Sequence, residues 1–199
     1  MWKKMLIAAA TAAAGMAFAF SAEAAGPGGF ARGLAYSPTV SFIRVSQPTL
    51  APFAYVKFCI DNPDQCNRTG GSSMVYLTPA KRAQMDAVNR RVNRQIRPVN
   101  DAGGLDGDVW QIGTSSGDCE EFALAKRQML LSLGWPARAL RIAVARTYAG
   151  EGHAVLVVKT NAGDLVLDNR TGLVKPWKSA GLRWVKIQSQ ENPRLWYSM

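Results

Sequence analysis

Apolar residues recur at helical spacing in two stretches of the chain, after which the period drops toward two. From Thr78 onward Met85, Val88, Val92 and Ile96 fall on one helical face. Thr78 supplies a capping hydroxyl, Pro79 suits the first turn, and Pro98 stops the pattern, so a helix is predicted between them. A second helix is predicted from Cys119 to Leu133 on the stripe Phe122, Ala125, Met129, Leu130 and Leu133, with Gly134 ending it. Beyond it Ala137–Ala145, Ala154–Lys159, Leu165–Leu167 and Arg183–Ile187 are short β-rich runs, and Thr160-Asn161-Ala162-Gly163-Asp164 reads as a hairpin turn between two of them. Helix followed by antiparallel strands predicts an α+β domain over residues 51–199. Residues 25–50, rich in Gly, Pro, Ser and Ala, read as an extended arm, and Asn100–Gly117, with five glycines, reads as a loop.

The first residues follow a different pattern. Lys3 and Lys4 precede an Ala-rich apolar run from Met5 to Phe20, which ends in Ser21-Ala22-Glu23-Ala24-Ala25. That order predicts a secretory signal peptide over residues 1–24, with an uncleaved anchor as the alternative. Polar or charged residues interrupt every later apolar run, so the cleaved chain is not expected to be an integral membrane protein. The whole chain of 199 residues carries 24 basic and 14 acidic side chains, and loss of Lys3, Lys4 and Glu23 leaves 22 and 13, a charge of +9. An exported chain of this charge meets anionic envelope surfaces and acidic proteins rather than DNA, so nucleic acid is not an expected partner. Lys81, Arg82, Arg90, Arg91, Arg94 and Arg97 place much of the charge on the polar face of the first helix. A solvated face is the default reading and docking of an acidic partner the alternative.

Three cysteines in an oxidising compartment allow one pair and one spare. Cys59 and Cys66 bracket Ile60-Asp61-Asn62-Pro63-Asp64-Gln65, a turn-rich segment that can bring two thiols together. A disulfide is the expected reading, with metal ligation or two free thiols as alternatives. Cys119 is then unpaired. It falls at the first turn of the second helix, where unsatisfied N–H groups and the positive dipole end favour a thiolate and offer donors to an oxyanion. Asp118, Glu120 and Glu121 oppose that thiolate, and an inert packing role is the bland alternative.

The chain has one histidine, His153, at the start of the predicted hairpin. Imidazole is the side chain suited to taking a thiol proton near neutral pH. Asp168 follows Leu165-Val166-Leu167, where a charge is costly without a partner, and it is the candidate for fixing the imidazole tautomer. Folding the hairpin about Asn161 and Ala162 sets Asp168 opposite Val155, on the face of His153 and one diagonal pair away. A slip of one residue would separate them, and the sequence leaves both registers open.

Gly117-Asp118-Cys119-Glu120-Glu121-Phe122-Ala123-Leu124-Ala125-Lys126, then Gly152-His153-Ala154-Val155-Leu156, then Val166-Leu167-Asp168-Asn169, resemble the bacterial transglutaminase-like cysteine proteinases. Leu133-Gly134-Trp135-Pro136 and Asp108-Val109-Trp110 extend the resemblance over roughly residues 55–190. It implies a papain-like, transglutaminase-like core with the nucleophile at a helix N-terminus packed on an antiparallel β-sheet. It further implies Cys119 as nucleophile, His153 as general base and acid, Asp168 as orienting group, and peptide cleavage through a thioester, chemistry that requires no cofactor. Trp110 would line the oxyanion hole or the substrate groove, with core packing as the alternative. The LapG-type periplasmic branch clips a surface adhesin, is sequestered by an inner-membrane receptor, and uses carboxylates flanking the nucleophile to bind calcium. Asp118 and Glu120 match those positions, which makes them candidate calcium ligands, with helix capping as the alternative. A protein substrate in the cell envelope is the expected partner. Gln111-Ile112-Gly113 departs from that branch, so adhesin cleavage is an expectation for the branch alone. Amide transfer on the same fold, or a non-catalytic envelope-binding module, are the rival readings.

Overall fold

Local sequence chemistry accounts for most of the elements. The computed structural model describes residues 40–67, 69–101 and 107–199, so the expected signal peptide and the first part of the arm lie outside the described residues. Among the described residues no helix is long and apolar enough to cross a membrane. In chain order the elements begin with β1 (Pro48–Thr49), α1 (Phe53–Asp61), α2 (Pro63–Cys66) and α3 (Pro79–Gln95). The Thr78 hydroxyl accepts the Lys81 N–H at 3.2 Å and caps α3, as its sequence requires. Arg97–Pro98 (β2) then pairs in parallel with Ser116–Gly117 (β3), which leads into α4 (Cys119–Ser132). Helix α4 ends in a Schellman turn: Gly134 has φ 77°, and the N–H groups of Trp135 and Gly134 bond to the carbonyls of Leu130 and Leu131.

Six strands follow: β4 (Leu140–Arg146), β5 (Gly152–Thr160), β6 (Gly163–Leu167), β7 (Lys175–Pro176), β8 (Arg183–Gln188) and β9 (Trp196–Ser198). With β1 they form an antiparallel sheet in the order β1-β9-β8-β4-β5-β6-β7. The β5–β6 hairpin pairs Thr160 with Gly163 and Leu156 with Leu167, a register that sets Asp168 across from Val155. Side-chain alternation then divides the core. Leu156, Val158, Leu165 and Leu167 pack under Met85, Val88, Val92 and Phe122 of α3 and α4, while Val155, Val157 and Val166 join Ile43 and Ile187 in a separate cluster.

Two segments differ from the sequence expectation. The span from Cys59 to Cys66 is not a plain turn: α1 reaches Asp61 and α2 restarts at Pro63, and a disulfide of 2.05 Å joins Cys59 to Cys66. Part of the arm is also structured. Ser46 N–H bonds to Ser198 O at 2.8 Å, and Ile43 N–H bonds to Asp164 Oδ2 at 2.7 Å. Gly163, at φ 102°, lets Ser41 approach, because a Cβ there would lie 2.7 Å from the Ser41 carbonyl oxygen. Those contacts link residues more than a hundred positions apart, beyond the reach of local patterning.

The disulfide spans a sequence separation of 7, so its stabilisation is at the low end for such cross-links, about 2 kcal/mol. Cys59→Ala/Cys66→Ala is therefore expected to shift the urea midpoint down by that free energy with Cys119 reactivity retained. An unchanged midpoint would show that the closed loop contributes nothing.

Candidate active site

The first turn of α4 is built by a reciprocal cap. Glu121 Oε2 accepts the Asp118 N–H and Oε1 accepts the Gln111 N–H, each at 3.0 Å, while the Asp118 carboxylate caps the turn in return. Gly117 makes room for this fold-back, since a Cβ would sit 2.5 Å from Glu121 Cγ. Burial pushes the Glu121 carboxyl up to about 7 against the opposing pull of those two N–H groups. The cap leaves Cys119 as the first helical residue, its side chain partly buried.

Strand β5 brings the other groups to this helix tip. Ala154 N–H donates to Cys119 Sγ at 3.3 Å, so the sulfur docks on the residue that follows His153. His153 Nε2 lies 3.0 Å from Asp168 Oδ1, with both side chains buried. That contact leaves Nδ1 as the second ring nitrogen. Asp168 also accepts from Arg170, through the backbone N–H at 2.9 Å to Oδ1 and through Nε at 3.0 Å and Nη2 at 2.7 Å to Oδ2. Burial alone would raise Asp168, but the hydrogen bonds from His153 and Arg170 outweigh it and hold the carboxyl well below the usual carboxylate range.

Cys119, His153 and Arg170 line a cleft of about 650 Å³ together with Asp101, Asp108 and Glu120. A groove of about 720 Å³ between α3 and α4 is lined by Val92, Ile96, Ala125 and Met129 without an ionisable side chain, so the chemistry belongs to the smaller cleft. Within the cleft the thiol donates to Glu120 Oε2 at 2.9 Å. Burial, followed by the Glu120 charge and that bond, pushes the thiol far above the ordinary cysteine range. Burial and the neighbouring Asp118 push Glu120 up to about 9. Asp108 is raised by burial and then by Asp118 and Asp101. Oxygen ligand atoms of Asp118 and Glu120 and the Cys119 sulfur lie within 4.8 Å of one another. This crowding of carboxylates favours a thiol over a thiolate.

Cys119, His153, Asp118 and Glu120, all singled out in the sequence, thus line one cleft, and Asp168, also singled out, is buried against His153 without lining it. Trp110 does not join them: it is buried against Tyr55, ring centroids 5.2 Å apart, in the core cluster with Phe58 and Trp196. Two of the first-turn N–H groups expected to hold an oxyanion are occupied, Asp118's by Glu121 and Glu120's by Asp118 Oδ1 at 3.5 Å. Sequence reasoning passed over Arg170, two residues beyond Asp168, and Asp101, and it met Asp108 only as part of the Asp108-Val109-Trp110 resemblance, without a role at the site. It also passed over Lys126, which is fully buried with Nζ 5.8 Å from the Phe122 ring centroid; burial pushes it down to about 7 while Asp168 draws it back up.

A helix-tip thiol that shares a cleft with a buried imidazole–carboxylate pair, on an antiparallel sheet, is the arrangement of the transglutaminase-like class of cysteine enzymes. The profile of the bacterial transglutaminase-like cysteine proteinases, BTLCP, matches residues 45–199, and the chain belongs to that family. It is a cysteine protease of this type. Among solved structures it is similar to Legionella pneumophila LapG in a calcium-bound form, at 25% identity and a TM-score of 0.50, over 61% of this chain and 71% of that one. Two further L. pneumophila LapG structures, one of them EGTA-treated, match at 26% identity and a TM-score of 0.49 over 61% and 69% of the two chains. No curated protein matches the chain.

Proposed function

We propose that Cys119, His153 and Asp168 form the catalytic triad of an exported endopeptidase that cleaves a peptide bond in an envelope or surface protein. The observation that carries this reading is the joint docking of the Ala154 N–H on Cys119 Sγ and of His153 Nε2 on Asp168. Asp168 keeps the ring proton on Nε2, which leaves Nδ1 to take the thiol proton. Sγ then attacks the peptide carbonyl, and His153 returns the proton to the leaving amine as the C–N bond breaks. Water, deprotonated by the same imidazole, hydrolyses the thioester and releases the new C-terminus and the thiol.

The donor set also fits a calcium ion. Asp118 and Glu120 offer hard oxygen ligands, Asp101 and Asp108 line the same cleft, and burial leaves Glu120 and Asp108 short of compensating charge. When bound, the ion supplies positive charge beside the thiol. The calcium-bound state of the L. pneumophila relative supports this assignment. A signal-like N-terminus and the Cys59–Cys66 bridge support a periplasmic or secreted location, with an adhesin as substrate and an inner-membrane receptor as regulator by analogy with that branch.

Purified chain incubated with envelope proteins is expected to create new N-termini, read by mass spectrometry, that the Cys119→Ala variant does not create. Incorporation of an added primary amine in place of cleavage would instead identify amide transfer. Neither product would return the chain to a binding role.

A further inference from the structure

We infer that Arg170 is a positioning residue of the reaction, the group that fixes Asp168 so that His153 is presented to Cys119 in a single tautomer. This inference rests on the triad reading above and adds a fourth member to it. Asp168 Oδ1 is divided between His153 Nε2 at 3.0 Å and the Arg170 N–H at 2.9 Å. Its Oδ2 takes the guanidinium fork, Nε at 3.0 Å and Nη2 at 2.7 Å. The same Nη2 reaches the Ala180 carbonyl at 3.5 Å, so the fork is tied to a second segment.

A buried carboxylate that loses the partners of one oxygen turns to recover them, and here any turn moves Oδ1 away from the imidazole. Charge alone does not prevent this. Lys126 already acts on Asp168 from the α4 side without a hydrogen bond of its own, so what Arg170 adds is direction: two planar donors that hold the carboxylate plane. Arg170 also lines the cleft and its side chain is 39% exposed, so a guanidinium ion from solution can reach the place its side chain would vacate.

The test uses the full chain and the fact that it contains one histidine. Nitrogen-15 spectra of His153 in the wild type are expected to show the proton on Nε2 and a bare Nδ1. Arg170→Ala should give mixed tautomers and slow the alkylation of Cys119 by iodoacetamide about tenfold near pH 7, the scale of a supporting interaction in a site of this kind. Added guanidinium chloride, at concentrations well below those that unfold the protein, should restore most of the rate. Arg170→Lys, which keeps the charge and serves if the alanine variant does not fold, should remain slow because an ammonium cannot reproduce the planar fork, whose Nε also reaches Oδ1 at 3.2 Å and so spans both oxygens. A lysine variant with wild-type rate and spectrum would overturn the inference, as would a slow alanine variant that guanidinium does not rescue. His153→Ala reacting at the wild-type rate would instead remove the triad reading, while the His153 spectra of the Arg170 variants would still report on the arginine.

Discussion

Replacing His153 with alanine is expected to slow alkylation of Cys119 by iodoacetamide near pH 7 by about a hundredfold or more, the usual scale for loss of a positioned general base. The reason lies in the surroundings of the sulfur. Burial and Glu120 hold the thiol far above its ordinary range, so little thiolate forms near neutrality unless a neighbouring base accepts the proton. His153 is the one imidazole in the chain, and its Nε2 is committed to Asp168, so in the proposed triad Nδ1 is the nitrogen left for that transfer. In the wild type the rate should rise and then level as the thiolate–imidazolium pair forms. In the variant it should climb with pH and show no plateau below the titration of the bare thiol. The fold should persist, because Asp168 keeps its bonds to Arg170, and the thermal midpoint serves as the control. Equal rates in the two proteins, with Cys119→Ala unlabelled, would remove the base from the mechanism.

How much of this site was legible in the sequence depended on how local its determinants are. Thr78 and Pro79 announce α3, and Gly134 announces the end of α4, because caps act within one turn. The turn at Asn161 and Ala162 was legible but left two registers of β5 on β6 open, one residue apart, and only the folded hairpin selects the one that brings His153 to Asp168. The pairing of β1 with β9 was hidden, since two residues of ladder carry no periodicity and the partners lie at opposite ends of the described chain. Helix α1 was hidden for a related reason: Tyr55, Phe58 and Cys59 face the core, but exposed Val56 and Ile60 blur the stripe.

The same distinction runs through the chemistry. Cys119, His153 and Asp168 stand out because each is rare or costly where it falls. The carboxylates Asp101 and Asp108 do not, since acidic residues in a glycine-rich loop are ordinary until the fold carries them to the helix tip. Arg170 carries no mark of its own in the sequence, being one of 24 basic residues. It differs only because the backbone turn after β6 brings its guanidinium back onto the residue two positions earlier. Electrostatics then joins the two groups: the cleft gathers negative charge around a nucleophile that must itself become negative.

That conflict sets the second large effect. Calcium is expected to accelerate Cys119 alkylation near pH 7 at least tenfold over the chelator-treated protein, which corresponds to a fall of about one unit in the thiol pKa. A divalent cation on Asp118 and Glu120 favours their ionised forms and offsets the charges that raise the thiol. The same field governs stability. Glu120 binds its proton up to about 9 in the folded chain, against an ordinary value of 4.5, so between those limits the folded state holds more protons than the unfolded one. Stability from this group is therefore lost as pH rises through that window, and it is recovered where calcium pairs with the carboxylate. The gap in thermal midpoint between calcium-loaded and EGTA-treated protein should widen from about pH 5 to about pH 9. Glu120→Gln should narrow that gap and raise the midpoint of the EGTA-treated protein at the alkaline end. Coincident melting curves and coincident alkylation rates with and without calcium, across that range, would show that Asp118 and Glu120 serve the helix cap and the thiol alone.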